Sequence, residues 1–271
     1  MTSSPPWQLR MFQKTLKKKL RLREFEKYLG KIPAEKRCLL VTCGDNNGAI
    51  NYYLRALGGN WSFADVEDTA LAEMSALLET EVAHAPGAKL VFPDAMFSIA
   101  IAIDVHEHLP DPAAFTAELQ RVTRPGGRVL VTVPGGDPSK IVNRIKNRIG
   151  MTKEKYGHYR DGFSIIELQE LLRASGIRPR RASSFSRLFT ELIELGINFL
   201  YVNVLSKKNA SAVKEGTIAP QTEDQLKSIE KTYRLYRLVY PFFWAFSQLD
   251  RLLFFSEGYV VVVEGEKGLV T

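Results

Sequence analysis

Residues 99–134 read IAIAIDVHEHLPDPAAFTAELQRVTRPGGRVLVTVP. The order is an apolar strand, a loop rich in acid and histidine, a helix, a Gly-Gly turn and a second apolar strand. Asp111 caps the helix and Pro112, with its fixed backbone, suits the first helical turn. Gly126-Gly127 ends the helix, and RVLVTV is the next strand. A strand–helix–strand block of this kind is half of a doubly wound α/β fold, in which ligands are held at the loops that leave the strands.

The same alternation extends on both sides. Upstream, CLLVTC at 38–43 reads as a buried parallel strand, GDNNG at 44–48 as a turn, and AINYYLRAL as a helix stopped by Gly58-Gly59. SFAD at 62–65 is a second strand and DTALAEMSALLE a second helix; residues 83–97 look irregular, and 98–104 form the next strand. Downstream, a basic connection spans 137–160. Ser164 caps the helix IIELQELLRAS, Gly176 closes it, and 178–184 form a short strand. GYVVVVEG at 258–265 is the final strand. The alternation predicts a parallel sheet with helices on both faces. About seventy residues before the final strand form an insertion with two apolar-rich helical segments, near 185–206 and 223–256, around a polar loop at 207–221. Insertions of that size usually carry function.

The strand ending in D-x-x-E-H-L, then D-P, a helix, P-G-G and a strand, resembles the second half of class I S-adenosylmethionine (SAM) dependent methyltransferases. The resemblance covers about 36–183 and the closing strand. It implies an α/β, Rossmann-like sheet, mostly parallel with its last strand antiparallel, and SAM as cofactor. The family turn L-D-x-G-C-G-x-G falls on residues 39–46. Leu40 then stands at the acidic position, Thr42 at the first glycine, Cys43-Gly44 on the C-G pair and Asn46 on the last glycine. Asparagine tolerates the left-handed backbone, so Asn46 or Asn47 could keep the turn. The family's ribose-binding acid falls on Asp65, followed by Val66. Asp104 and Val105 border SAM at the next strand end. Pro86 stands where an aspartate often meets the adenine amine.

His106, Glu107 and His108 follow Asp104 on that rim, and His158-Tyr159 precede the helix at Ser164, much as relatives place a His and an aromatic over the acceptor. Methyl transfer asks mainly for alignment and, where the acceptor carries a proton, a base. Histidine titrates near neutral pH, so His108, His106 and His158 are the candidate catalytic bases. Glu107 and His108 could equally fix the loop. Two cysteines and four histidines show no tight metal spacing, so no metal is expected. A Ser nucleophile elbow and a phosphate-binding P-loop are absent from the sequence.

Residues 1–37 hold eleven Lys/Arg and three Asp/Glu, a balance of +8 within a chain of net +7. The basicity therefore belongs to an N-terminal arm, where residues 7–29 read as one amphipathic helix ended by Pro33. Residues 232–259 carry ten of the chain's twenty-eight aromatics, interleaved with Arg234, Arg237 and Arg251. Both stretches suit an anionic membrane surface; the alternatives are a solvated basic helix and a helical cap or homodimer interface. Nucleic acid ranks lower, because no recognised RNA-binding motif accompanies the lysines. Cys38 and Cys43 lie about 16 Å apart on one strand, too far to bridge, which suits a reducing cytoplasmic compartment. No secretory signal and no membrane-spanning run is expected.

Three parts are expected: an arm at 1–35, a methyltransferase-like domain at 36–184 plus 257–268, and a helical insertion at 185–256 facing membrane, acceptor or cap. The expected function is a SAM-dependent methyltransferase acting on a lipid-like or amphipathic acceptor at the cytoplasmic membrane surface. The alternative is a noncatalytic relative that binds a lipid or a partner.

Overall fold

A computed structural model describes residues 5–44, 46–205 and 220–269 of the chain. Helices α1 (Trp7–Phe12) and α2 (Lys17–Leu29) lead into β1 (Ile32–Thr42). There follow α3 (Ala49–Arg55), β2 (Gly58–Asp65), α4 (Leu71–Leu78), β3 (Val82–His84), β4 (Phe97–Ile103), α5 (Pro112–Val122) and β5 (Thr123–Pro134). The second part holds α6 (Ile141–Arg148), α7 (Ile165–Ala174), β6 (Ile177–Phe185), α8 (Leu188–Leu200), α9 (Glu223–Ser228), α10 (Glu230–Ser247) and β7 (Val260–Lys267).

The strands form one seven-stranded sheet in the order β3-β2-β1-β4-β5-β7-β6. β1 to β5 pair in parallel, and β7 slots antiparallel between β5 and β6. Helices cover both faces. Leu39, Val41, Ala100, Ala102 and Val131 pack on one side, and Leu40, Ile101, Leu130 and Val262 on the other. Two buried faces explain why these strands read as unbroken apolar runs rather than alternating ones.

Five elements differ from the sequence reading. Helix α5 ends at Val122, and Gly126-Gly127, expected to end it, lie inside β5. Residues 7–29 are two helices, and α2 is not a solvated arm: Phe25, Tyr28 and Leu29 sit in the core beneath the sheet. Gly30 ends α2 at φ +59°, and β1 begins at Ile32, so Pro33 lies inside the strand. The stretch expected to be irregular holds β3, a three-residue edge strand too short to show a period. The second helical segment is divided into α9 and α10, with a 3-10 turn over Gln248–Leu253. The polar loop at 207–221 lies outside the described residues up to residue 219.

Strand register builds the functional rim. Thr42 stands opposite Asp65 on one side and Ile103 on the other, and Ile103 stands opposite Thr132. The carboxyl ends of β1, β2, β4 and β5 therefore finish level. Helix α8, packed on α6 and α10, roofs the β4–β5 end of this rim, and the start of α2 closes it from the other side through Lys17 and Glu191, 2.8 Å apart.

Candidate functional site

The turn after β1 is held by its own side chains. Asn46 donates to the Thr42 hydroxyl at 3.2 Å and to Asn51 at 2.7 Å, and accepts from the Gly48 N–H at 3.1 Å. Asn47 accepts from the Ala49 N–H at 3.3 Å. The left-handed residues are Gly44 (φ +63°) and Gly48 (φ +86°); the asparagines support the turn through their amides, not by taking a left-handed backbone. Cys43 and Val105 point into the core.

Asp65 ends β2 and is almost fully buried. One carboxylate oxygen accepts from the backbone N–H of Gly44 at 3.0 Å and of Glu67 at 2.9 Å. The other accepts a short hydrogen bond from Thr42. Burial raises its pKa, and these three donors oppose the rise. The crevice above it is filled from the chain itself. Gln221, just before α9, donates its amide to the Gly44 carbonyl. A Cβ on Gly44 would meet Glu67 at 3.2 Å and Gln221 at 3.7 Å. The donor set fits an adenosine: an acid at the β2 end and a glycine turn open to a ribose. The space does not, until the Gln221 side chain withdraws. Pro86, which opens the turn Pro86–Ala88, has no side-chain acceptor for the adenine amine.

Beside this crevice lies a cavity of about 600 Å³, within the usual range of small-molecule pockets. Its polar end is the loop after β4: Asp104, Glu107 and His108, with Tyr156 and His158 from the connection before α7. Asp104 adopts φ +50°, a left-handed conformation that aspartate tolerates better than most residues. Arg21 of α2 forms an ion pair with it, and the Thr132 hydroxyl donates to it at 3.3 Å. The other end is apolar, with Leu192, Ile193 and Ile197 of α8 and Tyr236 and Phe243 of α10.

A buried charge cluster joins the two ends. Glu191 lies 2.8 Å from Lys17 and 3.7 Å from Lys146, and accepts from Ser186 at 2.6 Å. Burial disfavours its charge, but the two lysines outweigh that and hold its pKa below the ordinary carboxylate value. Burial opposes the charge of Lys17, but Glu191, Glu194 and Asp104 together outweigh it and raise its pKa.

Of the three histidines expected as bases, two line the cavity. Burial lowers the pKa of His108, and burial followed by the charge of His108 depresses His158 to about 2, so both are neutral at pH 7. His106 is sealed away from the cavity against Phe115 and Phe163, bonded to Thr116 at 3.1 Å, and depressed to about 3 by burial. Its position fits packing, not proton transfer with an acceptor. Reading the sequence alone missed Lys17, Arg21, Glu191 and Gln221. Lys17 and Arg21 stand four apart on one helix and therefore share a face, but nothing local says that the face meets Asp104.

Sheet order, rim and glycine turn together define a class I, Rossmann-like methyltransferase domain. Residues 39–131 match the family model described as "Methyltransferase domain", a likeness to class I SAM-dependent methyltransferases that the curated relatives share. Among curated proteins, a probable S-adenosylmethionine-dependent methyltransferase of Mycolicibacterium smegmatis is 30% identical over 147 residues, 53% of this chain and 52% of that protein. The 27-O-demethylrifamycin SV methyltransferase of Amycolatopsis mediterranei is 28% identical over 133 residues, 46% of this chain and 41% of that one. The chain spans about half the length of the curated relatives it matches. Among solved structures, the YcgJ protein of Bacillus subtilis superposes with a TM-score of 0.56 at 14% identity, over 93% of this chain and 100% of its own. Phosphoethanolamine N-methyltransferase 2 of Haemonchus contortus superposes at 0.53 and 15% identity, over 92% and 52%. At such identities the structures speak for the fold alone.

Proposed function

We propose that the protein is a SAM-dependent methyltransferase that acts on an amphipathic, lipid-like acceptor at a membrane surface. The observation that carries this reading is the cavity: it runs from the polar strand-end cluster at Asp104 to an apolar wall built by the helical insertion. An acceptor with one reactive polar end and a greasy body matches that gradient. The 1–35 arm and the 185–256 insertion serve as the acceptor-side parts of the molecule, and 36–184 plus 257–268 as the cofactor-side domain.

When bound, SAM supplies a methyl group on a sulfonium centre. Asp65 would hold the ribose, with the Thr42–Gly44 turn beneath it and Val66 alongside; Asp104 would border the same ligand at β4, with Val105 packed in the core behind it. His108, neutral at pH 7, would take a proton from the acceptor, and His158, depressed to about 2, would stand beside it rather than hold the proton.

The outer face of α10 supports the membrane part. Leu238, Phe242 and Phe246 are exposed and recur at four-residue steps, so they form one stripe; Leu249 follows in the 3-10 turn. Phe254 and Phe255 extend it, 78% and 76% exposed. Arg234, Arg237 and Arg251 are exposed on the same segment. Aromatics at headgroup depth with arginines at phosphate are an interfacial pattern. The opposite face of α10 lines the cavity, so an acceptor leaving the bilayer would meet the pocket directly. No helix among the described residues is long and apolar enough to cross a membrane.

Calorimetry with SAM and its demethylated product, S-adenosylhomocysteine, tests the enzyme reading; binding of both at micromolar concentration is expected, and binding of neither at high micromolar concentration overturns it. The filled crevice over Gly44 favours one second reading, a noncatalytic relative that binds a lipid. The same titration separates the two.

A further inference from the structure

Glu107 and His108 leave the β4 rim, and His158 reaches the same point from fifty residues further along the chain. Their ligand atoms all lie within 4.8 Å of one another. We propose that Glu107, His108 and His158 form a binding site for one divalent first-row transition metal, open on the cavity side, where an oxygen of the acceptor completes the coordination.

Geometry supports it first. Metal–ligand bonds to imidazole and carboxylate run about 2.0–2.2 Å, so ligand atoms around one ion stand about 3–4.3 Å apart. The three groups need only a small inward rotation to reach that spacing. The two imidazoles meet edge to face with centroids 4.4 Å apart. The backbone pins both segments together: the Tyr159 N–H donates to the Glu107 carbonyl at 2.8 Å, and the His158 N–H to the Lys153 carbonyl at 2.9 Å. The site is thus assembled by main-chain bonds on either side of the ligands, which is what a pre-organised site requires.

Chemistry supports it second. Two imidazoles and one carboxylate suit zinc, iron(II), manganese, cobalt or nickel rather than calcium or magnesium, which favour oxygen sets. Three protein ligands leave coordination positions open, and all three line the cavity. The charges facing this corner are also accounted for. Lys17 and Lys146, which would repel a cation, share Glu191, and Arg21 is paired with Asp104. An acceptor hydroxyl on such an ion has a lowered pKa, so the metal would do the work that a histidine base does in its absence.

The inference deepens the acceptor half of the proposed function and rests on that cavity, but it is read without SAM, so it can fail while the enzyme reading stands. The full chain, stripped with a chelator, is titrated with Co²⁺ by visible absorption and with Zn²⁺ by calorimetry. One equivalent of each is expected, with d–d bands for cobalt. Loss of a protein ligand should weaken affinity at least as much as the 10–100-fold typical of outer-shell changes, so His108→Ala, His158→Ala and Glu107→Gln are each expected to lose about 100-fold or more. His84→Ala, on an exposed histidine bonded to Val66, is expected to keep full affinity. Should an alanine variant fail to fold by circular dichroism, His108→Asn and His158→Gln give the same reading. Absence of cobalt bands in the unaltered protein, or equal affinity in the ligand variants and His84→Ala, overturns the site.

Discussion

Replacing Gln221 with alanine should tighten SAM binding. In the described conformation the Gln221 amide donates to the Gly44 carbonyl, so its side chain lies against the turn on which the proposed function places the nucleoside. Its own Oε1 is buried with no partner among the described residues, so the strap is poorly satisfied. A neutral hydrogen bond contributes about 0.5–1.5 kcal/mol net. Taking about 1 kcal/mol for this one, the closed crevice loses that much relative to the open one when the side chain is removed. Apparent affinity scales with the fraction of molecules competent to bind, and 1.4 kcal/mol is tenfold, so the dissociation constant should fall about 5-fold. Calorimetry of the full chain and of Gln221→Ala with S-adenosylhomocysteine reads this directly. An unchanged or weaker affinity in the variant would refute the idea that Gln221 competes with the ligand.

Asp65→Asn keeps the shape but removes the charge, and hydrogen bonds to charged groups contribute about 1.5–3 kcal/mol; SAM affinity should drop roughly 10- to 100-fold by the same titration, and a smaller loss would count against Asp65 as the ribose acid. Lowered histidine pKa values make stability depend on pH with a definite sign. An unfolded histidine takes up a proton below about pH 6.5, whereas folded His106 and His158 stay neutral down to about 3 and about 2. Stability is therefore full above about pH 6.5 and falls as the pH drops, by about 1.4 kcal/mol per pH unit for each such group. Urea midpoints across that range should be flatter by about one proton in His106→Gln; an equal slope contradicts the burial argument. On vesicles of anionic phosphatidylglycerol mixed with phosphatidylcholine, changing Phe242, Phe254 and Phe255 together to serine should weaken co-sedimentation about 100-fold, taking about 1 kcal/mol per ring as partial burial. Indifference of the unaltered protein to anionic lipid contradicts the membrane assignment.

The sheet was legible because its determinants are local. Asp111-Pro112, the Ser164 cap and the unbroken runs at 38–43 and 129–133 each announce an element without help from the rest of the chain. Ser164 forms the full capping box with Glu167. Asp65 and Asp104 could be placed at strand ends because register follows from strand order. What escaped was everything decided by long-range approach. Glu191 meets Lys17 across 174 positions of sequence, and Gln221 meets Gly44 across 177. The N-terminal stretch read as a basic amphipathic arm for a membrane surface because its lysines dominate the pattern, while Phe25, Tyr28 and Leu29, which tie it to the core, are too few to outweigh them. His106 and His108 looked alike in sequence. Only the fold separates them, because a 3-10 turn over His106–His108 sends one ring inward and leaves the other on the cavity.

The central claim is that an adenosyl ligand lies over Asp65 with its reactive end toward the cavity. A crystal structure of the protein grown with S-adenosylhomocysteine tests it most directly. The account predicts ribose hydroxyls on the Asp65 carboxylate, the Gln221 side chain displaced from Gly44, and the sulfur facing Asp104 and His108. A crevice still closed by Gln221 and Thr42 at saturating ligand, or a nucleoside bound elsewhere, would contradict it.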